Sequence, residues 1–278
     1  MRIHAIGTGS VKIKMSQLEG RGHGLARQLR PLIDRTWSAW LPTYAWAIEH
    51  SEGVILVDTG ATTALKKLPK WHPFFRLALE FDIEPEQEVL PQLRGLGIGA
   101  ADVKKIVATH LHFDHDGGLA YFPSSDVYAR PGEVARASGL AGRLRGYLPE
   151  RWPRTFDPKP LEFSGGPYGP FARSARLTQS GDVIAVPTPG HTPDHVSIIV
   201  EDGETLIFLA GDVSYNERNM IEGRIDGISP NEAVTKETMG LIRRLAESRP
   251  TIFLPTHDPA AAARLAARQA VALGPKYW

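Results

Sequence analysis

The sequence contains no cysteine among its 278 residues. This absence excludes disulfide-stabilised scaffolds, thiol nucleophiles and every zinc site that uses thiolate ligands. Histidine and carboxylate therefore remain as the strong metal ligands that the chain can offer.

The chain also lacks an excess of charge of one sign and any long hydrophobic run. Its 32 basic and 31 acidic residues nearly cancel to +1, which argues against a strongly basic nucleic-acid module. The longest apolar stretches, such as residues 206–210, are far shorter than the roughly 20 residues of a transmembrane helix. Residues 1–15 contain no apolar stretch of secretory-signal length. We therefore expect no nucleic-acid partner, no membrane insertion and a cytoplasmic location.

Short β-branched and aliphatic runs recur between Gly, Pro, Asp and Asn, which is typical of strands separated by turns. The predicted strands cover residues 54–58, 106–109, 127–129, 183–186, 196–200, 206–210 and 252–255. Helical spacing of Val234, Thr238 and Leu245 predicts one helix, and Asp258 with Pro259 predicts the start of another that runs through the alanine-rich tail. Because apolar strands alternate with helices, we expect a layered α/β protein.

The chain shows no linker, charge block or internal repeat that would mark a domain boundary. We therefore expect a single domain over residues 1–278. Two stretches rich in Gly, Pro and aromatic residues are predicted to be excursions from it, at about 16–46 and 136–176.

One segment carries most of the chemistry. Three histidines and two aspartates lie in the seven residues His110-Leu-His-Phe-Asp-His-Asp116, directly after a predicted strand. Buried imidazoles and carboxylates without partners cost a few kcal/mol each, so such a cluster is a poor choice for a packed core. In the His-x-His step, two imidazoles lie on the same side of an extended chain, and Asp114 and His115 turn toward a neighbouring point. The segment therefore predicts a site for two adjacent cations.

Further candidate ligands follow other predicted strands: His191, Asp212 and His257. Gly190 and Gly211 allow the backbone to turn sharply just before two of them. The histidines that lack such a setting are expected to be ordinary structural residues: His4, His23, His50 and His72.

These segments, together with Val57-Asp58-Thr59-Gly60, resemble the metallo-β-lactamase superfamily over most of the chain. The resemblance implies a four-layer αβ/βα sandwich of two mixed β-sheets flanked by helices, with the site at their common edge. It also implies two divalent metal ions, zinc by default, with manganese, cobalt or iron as alternatives. The implied ligands are His110, His112 and His191 for one ion, Asp114, His115 and His257 for the other, and Asp212 bridging both.

Asp58 has two interpretations. Under the resemblance, its carboxylate would hold a ligand imidazole in the correct tautomer and orientation. Otherwise it is a turn residue that ends a strand before Thr59 and Gly60.

Within the superfamily, several branches fit less well. β-Lactamases commonly use cysteine or lack the bridging aspartate, whereas this chain has no cysteine and has Asp212. Glyoxalase II-like thioesterases generally append a helical domain after the last histidine, but only 21 residues follow His257 here. Ribonuclease-type members carry extra domains, for which this length leaves no room. The closer resemblance is to N-acyl-homoserine lactonases, through Asp212-Val-Ser-Tyr215-Asn and Gly190-His191-Thr-Pro. In that branch the tyrosine hydroxyl faces the lactone carbonyl, so Tyr215 would stabilise the oxyanion. The alternative is a tyrosine that merely packs in its loop.

The resemblance implies that metal-bound hydroxide, formed because metals lower the pKa of water toward about 7, opens a lactone ring. Asp114 would carry the proton to the leaving alkoxide. The alternatives are a phosphodiesterase or organophosphate-type hydrolase, favoured by an excess of arginine in residues 130–154, and a thioester hydrolase.

An acyl chain requires an apolar groove beside the metals. The candidate groove residues are Trp37, Trp40, Trp46, Tyr147, Trp152 and Phe156. Each of them could equally cover the core, and the stretches 16–46 and 72–81 could form the interface of a homodimer.

Overall fold

The structure, a computed structural model, describes residues 1–68 and 71–274. The strands in these residues are β1 (Arg2–Ile13), β2 (Leu41–His50), β3 (Gly53–Val57), β4 (Leu79–Asp82), β5 (Val103–Val107), β6 (Asp126–Ala129), β7 (Lys159–Pro160), β8 (Ala175–Arg176), β9 (Val183–Pro187), β10 (Val196–Asp202), β11 (Thr205–Gly211) and β12 (Thr251–Pro255). The α-helices are α1 (Met15–Leu18), α2 (Gly24–Leu29), α3 (Pro73–Leu77), α4 (Val89–Gly95), α5 (Pro131–Ala137), α6 (Gly139–Leu144), α7 (Glu217–Glu222), α8 (Glu232–Ser248) and α9 (Ala261–Ala266).

The described strands form two mixed sheets. One has seven strands in the order β4-β1-β2-β3-β5-β6-β7, and the other has five in the order β12-β11-β10-β9-β8. In the first sheet β1, β2 and β3 are antiparallel neighbours, whereas β3, β5 and β6 run parallel. In the second sheet β10 lies antiparallel between β9 and β11, and β12 runs parallel to β11.

The two-residue period of the strands divides their side chains between the two faces of each sheet. In β3, Ile55 and Val57 point into the cluster between the sheets, whereas Val54 and Leu56 point outward to the cluster that includes α4. In β12, Ile252 faces the other sheet and Phe253 faces α8. Each sheet is thus covered by its partner sheet on one face and by helices on the other, which confirms the four-layer sandwich of two mixed sheets.

All seven predicted strands are confirmed, with ends that differ by a few residues. Five strands of the described chain were not predicted, namely β1, β2, β4, β7 and β8, although β1 is the longest among them. The expected last helix begins later than predicted, because Asp258 accepts hydrogen bonds in a turn and α9 starts only at Ala261. The prediction that this helix runs through the tail is wrong, since α9 ends at Ala266.

The first aromatic-rich stretch divides into two parts. Residues 15–36, which we call the strap, contain α1, α2 and a short 3-10 helix, and the residues from Leu41 onward belong to β2. The strap is fastened to the loop before α8, since Gly20 donates to the Ile225 carbonyl at 2.8 Å and Gly227 donates to the Gln17 carbonyl at 2.7 Å. In the described residues, every helix is too short or too polar to span a bilayer.

Candidate metal centre

The seven candidate ligands meet because each one follows the carboxyl end of a strand. His110 to His115 follow β5, His191 follows β9, and Asp212 and His257 follow β11 and β12. The strands β9, β11 and β12 point in the same direction, so their ends lie at one edge of the second sheet. The structure thus brings together all seven residues that the sequence predicts.

One group of ligand atoms is formed by three imidazoles. His110, His112 and His191 each offer a ring nitrogen within 4.8 Å of the other two. The His112 Nδ1 and His191 Nε2 atoms are 2.9 Å apart. His110 and His191 are buried, whereas His112 is half-buried at the wall of a cavity.

A second group contains Asp114, His115 and His257, whose ligand atoms also lie within 4.8 Å of one another. Asp212 lies between the two groups, because it forms a further cluster of this size with His110 and His115. Its Oδ1 atom is 3.4 Å from His115 Nε2, and its Oδ2 atom is 3.4 Å from His257 Nε2.

The bonding of these atoms fits the donor set of a metal site. The buried atoms His110 Nε2, His115 Nε2 and Asp212 Oδ1 have no hydrogen-bond partner among the described residues. Buried polar atoms normally find partners, so a cluster of unpartnered imidazole nitrogens and a carboxylate oxygen indicates that something else binds them. Nitrogen and carboxylate ligands at these spacings suit a divalent transition metal.

The outer nitrogens of the same imidazoles are held by the protein. Asp58 Oδ2 lies 2.9 Å from His115 Nδ1, and the Pro42 carbonyl oxygen lies 2.9 Å from His257 Nδ1. The Thr109 hydroxyl is 3.0 Å from His110 Nδ1. Such contacts fix the ring orientation and leave the inner nitrogen free for a ligand bond. The position of Asp58 is the one that its orienting interpretation requires.

Electrostatics divide the site into neutral and charged parts. Burial and the neighbouring imidazoles hold the pKa of His110 and of His112 well below the usual value, so these rings are in the neutral form that binds metals. Burial would also lower the pKa of His115, but the Asp212 and Asp58 carboxylates raise it well above the usual value. Asp212 in turn stays ionised, because His257 and His115 lower its pKa against the effect of burial.

His195 is a residue of the site that the sequence analysis did not assign. It is buried directly behind Asp212, and its Nε2 atom accepts a hydrogen bond from the Asp212 amide at 3.1 Å. Burial lowers its pKa to about 3, which keeps the ring neutral and able to accept. The close approach depends on Gly211, because a Cβ atom there would lie 2.6 Å from His195 Nε2.

A cavity of about 550 Å³ opens above the ligands. Its floor includes His112, Asp114, Asp212 and His257, and much of its wall is apolar. The leucines of this wall come mainly from the strap and from α6: Leu25, Leu29, Leu32 and Leu144. His72, expected to be an ordinary structural histidine, also lies in the wall, where it caps α3.

The expected aromatic groove is largely wrong. Of the six aromatic residues predicted to line it, Tyr147 alone contacts the cavity in the described chain. Trp46 is buried between the sheets, and Trp37 packs under the Lys14 ammonium. Trp152 donates a hydrogen bond to Asp116, whose pKa is raised to about 8 by burial. These side chains have contacts elsewhere, and the wall is formed instead by the leucines of the strap together with Phe74 and Phe113.

Tyr215 lies beside the candidate ligands. It lines the cavity, and its ring centroid is 5.5 Å from that of His257. Its hydroxyl oxygen accepts a hydrogen bond from Gln17 Nε2 at 2.8 Å. Its ring is also part of a buried apolar cluster, so Tyr215 both packs in the core and reaches the cavity.

Fold, ligand geometry and sequence agree on one class of protein. The sequence pattern of the metallo-beta-lactamase superfamily matches residues 38–257, so the chain belongs to that superfamily.

Among its relatives, the probable metallo-hydrolase Rv2300c of Mycobacterium tuberculosis is 33% identical over 183 residues, which is 64% of this chain and 58% of that protein. The chain therefore spans little more than half the length of that relative. The N-acyl homoserine lactonase AttM of Agrobacterium fabrum is 24% identical over 93% of this chain and 94% of its own length. A solved N-acyl homoserine lactone hydrolase, with the product N-hexanoyl-L-homoserine at its catalytic metal centre, has the same fold, with a TM-score of 0.72 and 20% identity over 99% of this chain and 98% of that one.

Proposed function

We propose that this protein is a metal-dependent hydrolase that opens the lactone ring of N-acyl-homoserine lactones at a dinuclear site. The observation that carries the proposal is the convergence of two ligand groups on Asp212 at the floor of a cavity with an apolar wall. The similarity to lactonases over nearly the whole chain supports the choice of substrate.

The chain's own residues divide into two metal sites. His110, His112 and His191 would hold one ion, Asp114, His115 and His257 would hold the other, and Asp212 would bind both. When bound, divalent ions such as zinc lower the pKa of water and polarise a carbonyl group.

Two side chains that line the cavity are proposed to act on the substrate. Tyr215 donates a hydrogen bond from its hydroxyl to the carbonyl oxygen, where negative charge develops during ring opening. It remains protonated, since burial and the nearby Asp212 raise its pKa well above the usual value. Asp114 takes a proton from the attacking water and returns it to the leaving alkoxide. Its carboxylate lines the cavity, with Oδ2 at 3.6 Å from His257 Nε2.

The apolar wall provides a place for the acyl chain. Leu25 and Leu29 of the strap are 68% and 50% exposed, and Leu144 across the cavity is 55% exposed. Leucines at the mouth of a cavity lose this contact with water when an apolar ligand covers them, which favours binding.

The experiment that tests the proposal is proton release from a long-chain N-acyl-homoserine lactone, followed with a pH indicator. We expect acid production by the zinc-loaded protein and none by a sample treated with chelator. Absence of acid release from protein with two confirmed metal ions per chain would rule out the lactonase activity. Phosphodiester and thioester substrates, assayed in parallel, would then identify which alternative holds.

The phosphodiesterase alternative has one observation in its favour. Arg136 and Arg145 lie on the cavity wall, where they could contact phosphoryl oxygens. Arg136, however, is paired with Asp194 at 3.2 Å. The lactonase proposal is therefore preferred.

The substitution Tyr215→Phe separates the two activities. On a lactone we expect kcat to fall by about 10²-fold or more, because an oxyanion donor is lost, while the metal content stays at the wild-type level. A phosphodiesterase, whose phosphoryl oxygens are bound by cations, should change little. An unchanged kcat on the lactone would remove Tyr215 from the mechanism.

Three expectations from the sequence remain proposals. We propose that the chain forms one domain and acts in the cytoplasm. Homodimer formation through residues 16–46 and 72–81 is likewise a prediction.

A further inference from the structure

A contact between two distant parts of the chain fixes the hydroxyl group of Tyr215. Gln17 is in α1, 198 residues away in sequence, and its Nε2 atom donates to the phenol oxygen at 2.8 Å. Both side chains are almost fully buried, at 3% and 5% exposed, and both lie against the cavity. The contact is therefore shielded from the bulk water that would otherwise compete for it.

The backbone around Gln17 is tightly fitted. The backbone amide of Gln17 donates to the Lys14 carbonyl at 2.8 Å. The backbone carbonyl of Gln17 accepts from the Gly227 amide at 2.7 Å. A Cβ atom on Gly227 would lie 2.2 Å from the Ser16 carbonyl oxygen and 2.8 Å from the Gln17 Cα. Only glycine at position 227 allows the loop before α8 to come so close to residues 16 and 17. The loop therefore sets where the side-chain amide of Gln17 lies.

The direction of the hydrogen bond determines what Tyr215 can do. A phenol oxygen can accept hydrogen bonds while it donates its single proton elsewhere. Because the Gln17 amide donates, the phenol proton is not used in this contact. It remains available to a carbonyl oxygen in the cavity. An acceptor in the place of the amide would take that proton instead.

We infer that Gln17 is a positioning residue, which orients the Tyr215 hydroxyl so that its proton points to the substrate carbonyl. This inference rests on the proposed function, because it assigns Gln17 to the same reaction. It involves no contact between Gln17 and the reacting atoms, and its effect passes entirely through Tyr215.

Two substitutions at Gln17 test the direction of the contact. Gln17→Met keeps a similar length but removes the donor, and Gln17→Glu replaces the amide by a carboxyl group whose ionised form only accepts. We expect Gln17→Met to lower kcat on the lactone about three- to tenfold, the range of one hydrogen bond, with little change in KM. Gln17→Glu should lose at least as much. The exposed Gln179 provides a matched control, since Gln179→Met should retain wild-type kcat.

A double-mutant cycle with Tyr215→Phe distinguishes positioning from general damage. In the Tyr215→Phe background, Gln17→Met should change kcat by less than about twofold, because the group through which Gln17 acts is gone. Equal losses in both backgrounds would overturn the inference, as would greater activity of Gln17→Glu than of Gln17→Met. Urea unfolding of each variant measures any loss of stability separately.

A spectroscopic readout tests the contact without turnover. The ¹³C chemical shift of the phenolic carbon of labelled Tyr215 reports on hydrogen bonds to its oxygen. We expect it to move in Gln17→Met and to stay in place in Gln179→Met. An unmoved signal in Gln17→Met overturns the positioning role whatever the substrate. A moved signal in a protein that does not open lactones supports the contact and overturns the proposed function instead.

Discussion

Asp58 shows how a single side chain can organise a site that it does not enter. It is buried with φ of +59°, a conformation that non-glycine residues rarely adopt. Its carboxylate accepts from the Thr109 amide at 2.7 Å and the Thr109 hydroxyl at 2.8 Å, and it also contacts His115 Nδ1. Through these contacts the Asp58 carboxylate connects the end of β3 to the ligand segment after β5. The contacts compensate for the unfavourable backbone conformation of Asp58.

We expect Asp58→Asn to weaken metal binding about 10- to 100-fold, as is usual when the group behind a ligand histidine is changed. Asparagine tolerates the left-handed backbone, so the fold should persist. Competition with a chromophoric chelator measures the affinity, and Asp157→Asn, at an exposed carboxylate, is the control. Wild-type affinity in Asp58→Asn would mean that Asp58 only ends a strand.

At the scale of residues, the sequence predicts chemistry better than contacts. The seven candidate ligands could be named because imidazoles and carboxylates at strand ends are rarely used for anything else. Gln17 carried no such signal, since a glutamine in a polar segment is ordinary until the fold brings Tyr215 next to it. His195 carried no signal in the sequence either, because its contact with the Asp212 amide depends on the close approach of Gly211.

Among the elements, the end of β11 has a restrictive geometry beside the candidate ligands. Gly211 has φ of +57°, and a Cβ atom there would lie 2.6 Å from His195 Nε2 and 2.9 Å from the Thr109 Cβ. Gly203, in the turn between β10 and β11, has a similar φ of +64° with no atom within 4 Å of its Cβ position. The two glycines therefore share the backbone strain and differ in the steric clash.

Alanine at these positions separates the two effects. Gly203→Ala should cost about 1–2 kcal/mol from the left-handed backbone alone. Gly211→Ala should cost a further 1–3 kcal/mol or so, because His195 must move, and the displaced Asp212 should also reduce metal content. Urea denaturation and elemental analysis measure the two results. Equal destabilisation of the two variants would contradict the role given to His195.

The strap is held by two carboxylates, Asp34 near its end and Glu232 of α8, which contacts its middle. Asp34 accepts from the amides of Ser16 at 2.8 Å and Thr36 at 3.0 Å, and these bonds outweigh burial and lower its pKa to about 2. Glu232 accepts from the His23 ring and the Gly24 amide, which lower its pKa to about 2. Both folded-state pKa values lie below the ordinary values of 3.8 for aspartate and 4.5 for glutamate. The stabilisation is therefore present above about pH 5 and is lost as pH falls toward 2.

We therefore expect the amide-exchange protection of residues 15–36 to fall between pH 5 and pH 3, after correction for intrinsic exchange rates. Asp34→Asn and Glu232→Gln should show reduced protection already at pH 7 and a weaker dependence on pH. Glu237→Gln, an exposed carboxylate on the same helix as Glu232, is the control. If the strap of wild type and variants responded alike to pH, these carboxylates would not be what holds it.

The elements that the sequence did not reveal are those without a regular pattern. The strands β3, β9 and β12 are short and almost wholly apolar, so they could be predicted. β1 contains Gly7 and Gly9 and has mixed burial, because it lies near the edge of its sheet. The aromatic residues of the stretch 16–46 were expected to line the groove, but Trp37 packs under a cation and Trp46 lies in the core, and the leucines of the strap line the cavity instead.

Over the whole molecule, the two halves meet at the metal centre. The first sheet provides His110 to His115 after β5, and the second provides His191, Asp212 and His257. Ions that bind ligands from both sheets would stabilise the folded chain by mass action, by about 2.7 kcal/mol at a free metal concentration 100 times the dissociation constant. The unpartnered buried atoms of His110, His115 and Asp212 favour such binding, because they are left without ligands when metal is removed.

Removal of metal should therefore lower the melting temperature by roughly 5–10 °C, since each kcal/mol shifts a protein of this size by about 2–4 °C. Calorimetry with and without chelator measures the shift, and elemental analysis should find two ions per chain before treatment. His50→Gln, at a histidine outside the site, should respond like wild type, whereas Asp212→Ala should respond much less, because its bridging carboxylate is gone. If the protein melted at the same temperature after complete loss of metal, the two sheets would be held together without the ions. If elemental analysis found no ions in protein prepared with metal, the seven residues would form a polar cluster that the fold tolerates, and the proposed dinuclear centre would have to be abandoned.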